Sequence, residues 1–225
     1  MGAIAIQSSQ SSKSNFDTYR VAIGEFEALI QREAKIPPRR SVDSLWADFN
    51  NAPEAVQSAA IHQVKSYTEL LADAVRNKIP LTNDKQLAWF AMRKLGLIPP
   101  SDFLNHVADG DIIEIYNPEG VQIFRSFEFY KLIQYSIADI TFHAFDSLWR
   151  RDQKILAQII DQGFVKGFSG TRTPYKLEID DHLVAEAMLL EKKTFQLSFG
   201  WLCPLVNRQN QVAAVLATSR AVEVI

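Results

Sequence analysis

The sequence predicts an α+β protein: an N-terminal helical region packed on a C-terminal antiparallel sheet with short flanking helices. Three patterns predict it. Between Phe16 and Leu95, apolar residues recur at three- and four-residue spacing between proline stops, as buried helix faces do. Two β-branched and aromatic runs, Ile112–Tyr116 and Val121–Phe124, flank Asn117-Pro118-Glu119-Gly120. Pro presets φ and Gly tolerates the positive φ that closes a turn, so the two runs form a hairpin. Finally, Phe195, Leu197, Phe199, Trp201 and Cys203 alternate with Gln196, Ser198 and Gly200, the period of a half-buried strand.

In chain order, residues 1–14 read as a flexible tail, Ser/Gln-rich from Gln7 to Ser14. The helical region covers 15–106. Its first helix carries the stripe Tyr19, Ala22, Ile23, Phe26, Leu29 and Ile30 and stops before Pro37-Pro38. A short helix holds Leu45, Trp46 and Phe49. The next begins at Asn51–Pro53 and runs to about Lys78 on Val56, Ala60, Val64, Tyr67, Leu71 and Ala74, with Pro80 beyond it. A fourth, Asp84 to Leu95, has Thr82 or Asn83 as cap and Gly96 just past its end. Leu87, Phe90, Ala91 and Leu95 form its stripe, with Trp89 and Met92 off it. A helix apolar on two sides is expected between layers, so the two halves are expected to pack as one rigid unit. A short helix, Phe103–Val107, leads into the first strand. After the hairpin, Phe129, Leu132, Ile133, Ile137, Ile140 and Leu148 mark short broken helices. Tyr175–Ile179 reads as a strand, and Leu183–Glu191, rich in good helix formers, as a helix.

Composition limits the functional classes. A net charge of −2 creates no global field for nucleic acid or an anionic membrane, and Arg39-Arg40 and Arg150-Arg151 are not a basic stripe. No nucleic-acid partner is predicted. A single cysteine, Cys203, excludes an internal disulfide framework and any cysteine-rich metal site. No apolar run has the length of a membrane span, and Met1–Ile6 lacks the basic flank and apolar core of a signal peptide. Gly2 fits an N-myristoylation site, but Ile6 stands where Ser or Thr is wanted. A cytoplasmic protein with no membrane association is therefore expected.

Catalytic signatures are missing: there is no G-x-S-x-G, H-E-x-x-H, or G-x-G-x-x-G after a strand. The loop Lys166–Arg172 (KGFSGTR) lacks the Lys-Ser/Thr pair of a phosphate cradle and reads as an ordinary connection or a flap. His182 and Glu186, four apart on the expected helix after Asp180 and Asp181, would begin a metal site, but no further His or Cys ligand is near in sequence. An N-terminal capping cluster is the alternative. No enzyme and no metal are predicted.

The hairpin followed by Phe127, Phe129 and Leu132, then Gln134-Tyr135-Ser136 with Asp139-Ile140, Ser147-Leu148 and Arg151-Asp152, resembles the PAS family of sensor and interaction domains. So do the long strand Phe195–Phe199, the Pro204–Asn207 hairpin and the last strand, Val212–Ala217. The resemblance covers 107–225. Gln134 and Asn210 stand where the family usually has Gly, and Asn is the next-best residue for positive φ. Gly163–Lys193 is longer than the family's path, and the family topology prefers a strand where Leu183–Glu191 reads as a helix.

The resemblance implies a pocket between the sheet's inner face and the short helices, lined by Tyr130, Tyr135, Phe145, Trp149, Phe199, Trp201 and Cys203. The alternative is that these residues simply fill the core. His143 lies where a haem-binding member places an axial ligand, against the plainer reading of a structural histidine; Cys203 lacks the neighbours of a flavin-adduct cysteine. No cofactor is predicted. No helix-turn-helix, kinase or cyclase signature follows the last strand, so the expected function is signalling through protein contacts, by a homodimer or with a protein partner, with or without a small-molecule ligand. The alternative is a ligand-free scaffold or dimerisation module, and a third, behind it, an enzyme on a related α+β fold.

Overall fold

The computed structural model describes the backbone of residues 3–224 and the side chains of residues 15–224. Two compact units divide the chain. One takes it through Ala72 and returns for Gln134–Leu148; the other takes Asp73–Ile133 and everything from Trp149 onward. Helical and sheet elements together make an α+β fold.

The first unit is helical: α1 (Ala3–Ala34), α2 (Leu45–Asn51), most of α3 (Glu54–Arg76), α6 (Ile137–Phe142) and α7 (Phe145–Leu148). Helix α1 opens at Ala3, ahead of Phe16, and so includes Gln7–Ser14, which composition assigns to a tail. Adding a residue to an existing helix costs far less than nucleating one. Every member of the α1 stripe from Tyr19 to Ile30 is buried. Tyr19 stacks on Phe49 at 4.5 Å, and Phe26 lies against Tyr67 at 5.8 Å. The Tyr19 hydroxyl donates to the Ala138 carbonyl at 3.0 Å and lies 2.8 Å from the Thr141 hydroxyl, tying α1 to α6. Burial drives that phenol well above its ordinary pKa.

Helix α6 starts with a reciprocal cap. The Ser136 hydroxyl accepts the Asp139 N–H at 3.2 Å, while Asp139 accepts the Ser136 N–H at 2.9 Å. Asp139 also takes the Val42 N–H at 3.0 Å, and the Ser41 and Ser136 hydroxyls pair at 2.8 Å, so the same residues hold the 41–42 segment.

The second unit carries α4 (Asp84–Lys94), a 3-10 turn (Phe103–His106), α5 (Phe127–Leu132) and α8 (Gln153–Ile159), which continues into a π-helical turn, Ile160–Val165. The Asn83 side chain caps α4, accepting the Gln86 N–H, and Gly96 (φ +69) closes it as the sequence predicts. Its buried face is Leu87, Ala88, Ala91 and Met92, while Leu95 is exposed, so the stripe is rotated from the Leu87–Phe90–Ala91–Leu95 line.

The sheet of the second unit is antiparallel and curled, in the order β2-β1-β7-β6-β5-β3, with β4 also paired to β6. Its strands are β1 (Ile112–Tyr116), β2 (Gln122–Arg125), β3 (Trp149–Arg150), β4 (Tyr175–Lys176), β5 (His182–Glu186), β6 (Thr194–Val206) and β7 (Val212–Val224). The β1–β2 turn has Gly120 at φ +75, and the β6–β7 turn has Asn210 at φ +60. Both positions supply the left-handed backbone that a tight turn needs.

Two expectations are overturned here. Leu183–Glu191 is not a helix: His182–Glu186 pairs with Phe195 and its neighbours on β6. Local helix propensity loses to a ladder that satisfies the backbone of the long β6 strand. This also removes the capping cluster proposed for His182 and Glu186, since no helix begins there.

The strict alternation of β6 fails as well. Phe199 pairs with Ser219 and Leu202 with Ala217, so Gly200 and Trp201 share Thr218 as their one partner, a β-bulge. Beyond the bulge the faces exchange: Phe199 and Leu202 both pack on the apolar cluster of Leu177, Ile179 and Val215. Trp201 and Cys203 take the other face, where the Trp201 ring meets His106 at 4.2 Å.

Candidate functional site

The strongest candidate is the face of the second unit's sheet that α8 and its π-helical turn cover. Packing there is close: a Cβ on Gly167 would lie 2.9 Å from Val215 and 2.3 Å from the Gly163 carbonyl oxygen. Under this roof, half-buried Tyr116, Phe168, Tyr175 and Phe199 surround the cluster of Leu177, Ile179, Leu202 and Val215. Tyr116 meets Phe164 edge-on at 5.5 Å. The loop Lys166–Arg172 belongs to this roof: Lys166 sits over the Tyr175 ring at 4.3 Å, and the Tyr175 hydroxyl donates to the Gln162 carbonyl at 2.6 Å.

A polar group adjoins the rings. Glu114 and Arg125 are direct partners across β1 and β2. With Tyr116 and Gln122 they occupy the covered face, because residues two apart on a strand point the same way. Gln122 donates to Glu114 and, at 3.3 Å, to the Tyr116 hydroxyl. Burial pushes the Glu114 carboxyl above its ordinary range, opposed by Arg125, by hydrogen bonds from Tyr116 and Gln122, and by Arg151. The Tyr116 phenol is raised by burial and by the neighbouring carboxylate. Burial also lowers Arg151, which Tyr116 and Glu114 counteract. Arg125 is itself buried and lies over the Phe129 ring at 5.6 Å.

His182 is the second polar feature. Its ring stacks on Phe199 at 5.7 Å. Nδ1 lies 3.0 Å from the Asp180 carbonyl oxygen, which can only accept, so Nδ1 carries the proton. Nε2 is buried and has no hydrogen-bond partner among the described residues. Glu186, fully buried, accepts the Lys193 N–H at 3.1 Å and closes the β5–β6 connection. Among the described residues no group of three or more His, Cys, Asp or Glu side chains gathers as a metal site.

The seven residues proposed as a pocket lining occupy several environments. Phe199 is on the covered face. Trp149 is buried on β3, its ring 6.4 Å from Phe129 and 6.3 Å from Phe195. Tyr130 is buried on α5, against Phe127 and Phe129. Trp201 and Cys203 face the opposite side of the sheet, and burial pushes the Cys203 thiol up to about 12. Tyr135 and Phe145 belong to the first unit. The Tyr135 hydroxyl donates to the Leu148 carbonyl at 2.6 Å, and Phe145 is 40% exposed. His143 is also in the first unit, at the end of α6; burial lowers its imidazole against the opposing pull of Asp139 and Asp48.

Comparison with known proteins adds a weak structural likeness. The chain resembles a solved structure described as "Structure of an RNA-binding Light-Oxygen-Voltage Receptor", at 12% identity and a TM-score of 0.31, over 96% of this chain and 61% of that one. This chain thus spans about three fifths of that protein's length. No family model matches, and no curated protein matches. A likeness of that strength says nothing of what this chain binds.

Sequence reasoning missed the polar group. The signal was present: Glu114 interrupts a run of isoleucines, and period-two alternation puts it on one face with Tyr116. His182 was noticed for the wrong partner. Its neighbour is Phe199, reached through strand pairing rather than helical spacing. Among the described residues, no helix is long and apolar enough to cross a membrane.

Proposed function

We propose that this chain is a cytoplasmic signalling protein, whose second unit is a PAS-like sensor or interaction module and whose output passes through protein contacts rather than catalysis. The observation that carries the reading is the chemistry of the covered sheet face. Half-buried rings surround an apolar cluster there, beside half-buried Glu114, its buried cross-strand neighbour Arg125, and a His182 Nε2 with no hydrogen bond among the described residues. A mostly apolar surface with few, convergent polar groups is what a small-molecule site requires. The strand His182–Glu186, where the family resemblance prefers one, supports the same reading. The ligand this face suits is a small, largely apolar molecule with a hydrogen-bond donor for His182.

Full burial of Tyr130 and Cys203 favours the second reading, a ligand-free scaffold with a filled core. Native mass spectrometry of the protein purified from its own host separates the two. The expected result is a non-covalent adduct that is lost on denaturation and depleted in His182→Leu. Only the bare chain mass, with the fold intact, would establish the scaffold instead.

A further inference from the structure

The first unit presents a surface that the sheet chemistry does not use. Along α1, Asp17, Val21 and Glu25 follow one another at four-residue spacing, so they form a single ridge. Across from them on α3 stand Lys65, Thr68 and Glu69, and between the two helices lies an open groove of about 490 Å³. Val21, the apolar residue among those lining it, is 60% exposed. The rim carries three carboxylates against one ammonium, and none of these four groups has an ion pair among the described residues.

We propose that this α1–α3 groove is the docking site of the output partner, which presents a basic segment with one apolar side chain laid over Val21. An exposed valine flanked by Asp17 and Glu25, with Glu69 across the groove, suits a cationic amphipathic helix, whose apolar side chain covers Val21 while its charged flanks meet the carboxylates. A second copy of this chain fits poorly. A two-fold contact brings a patch against itself, so Asp17, Glu25 and Glu69 would face like charges. The inference rests on the reading that the signal leaves through protein contacts, and it adds where the contact lies and what chemistry the partner brings.

The test uses the full chain with two synthetic amphipathic peptides, one of leucine and lysine and one of leucine and glutamate, followed by fluorescence anisotropy and NMR. The leucine–lysine peptide is expected to bind, to weaken as salt rises, and to shift the amides of Thr18, Val21 and Thr68. E25Q/E69Q is expected to weaken it about tenfold or more, and E119Q/D181N, which neutralises exposed carboxylates elsewhere, is expected to leave it unchanged. Several outcomes would overturn the proposal. They are no binding, equal binding of both peptides, shifts confined to other surfaces, equal losses in the two variants, or dimerisation abolished by E25Q/E69Q in light scattering. The last would mean that the occupant is a second copy. The result is independent of ligand occupancy. Groove binding by a protein that carries no ligand keeps this inference and removes the sensor; a ligand without groove binding does the reverse.

Discussion

Substituting Gly200 by alanine tests the bulge that decides which side chains face the covered surface. A Cβ at that position would lie 2.4 Å from the Thr218 hydroxyl oxygen and 3.2 Å from the Thr218 carbonyl oxygen. The first distance cannot persist, so Thr218 must rotate or the two strands must part. Rotation breaks the 2.8 Å bond from the Trp201 N–H to Thr218 Oγ1, worth about 1 kcal/mol. Thr218 is almost wholly buried, so making room adds an overpacking cost of about 1 to 3 kcal/mol. The expected loss is therefore about 2 to 4 kcal/mol, which for a chain of this size lowers the melting temperature by roughly 5 to 15 °C. Urea titration followed by circular dichroism measures it. Thr218→Ala removes both the hydroxyl bond and the closest clash, so G200A/T218A should cost about 1 kcal/mol or more less than the sum of the single changes. Strict additivity, or a G200A protein within about 0.5 kcal/mol of the parent, would show that β6 runs without the bulge and would return Trp201 to the face of Phe199.

Three further expectations follow from single groups. Asp84, whose carboxylate takes the Phe127 N–H at 2.7 Å, has its pKa raised by burial to about 6, so its stabilising contribution is complete below about pH 4 and is lost as pH rises through about 6. Asp84→Asn stays neutral and keeps the acceptor, so it should match the parent near pH 4 and exceed it by about 1 to 2 kcal/mol near pH 7, after allowance for partial exposure; equal melting curves at both pH values would refute this. Ser136→Ala removes the reciprocal cap of α6 and the link to Ser41, at a cost of about 1 to 2 kcal/mol by thermal denaturation, and an unchanged melt would mean that the cap contributes nothing. Cys203 is fully buried with its thiol pushed up to about 12, so a disulfide reagent should label it only after denaturant is added; stoichiometric labelling of the native protein would refute that burial.

What was legible in the sequence was what local chemistry decides. Asn117-Pro118-Glu119-Gly120, the helix cap and the Gly96 stop each act within a few residues; the turn and the stop appear as read, and of the two cap readings, Thr82 or Asn83, the structure has Asn83. The α1 stripe was legible because its period is set by the helix itself. The failures are non-local. Nothing within Leu183–Glu191 announces that its hydrogen-bond partners lie on β6, and in isolation those residues favour a helix. A bulge inserts one residue, which leaves an apolar alternation intact on paper while exchanging every side chain beyond it. For that reason Trp201 and Cys203 were assigned to the face of Phe199, and the structure puts them on the other side.

The charges on the covered face of β1 and β2 bear on the function more directly than any ring does. Arg125 is buried and the carboxyl of half-buried Glu114 stands across the ladder from it, and taking charge out of water is costly, so the two are poor devices for stability alone. Two roles remain, and they predict different results. If the group only fixes the register of the hairpin, neutralising it as E114M/R125M/R151M should leave any bound ligand in place. If it recognises a ligand, the same triple variant should melt no lower than the parent and yet lose the adduct in native mass spectrometry. Glu114→Gln alone is the control, because it removes the carboxylate that opposes the burial of Arg125 and Arg151 while keeping the side chain's size, and it should melt below the triple variant. We expect loss of the adduct with retention of the fold, since register is already specified by Ile113 and Ile115, both buried on the other face of β1. A stable triple variant that still carries the ligand would confine these charges to the hairpin and leave recognition to His182 and its neighbours.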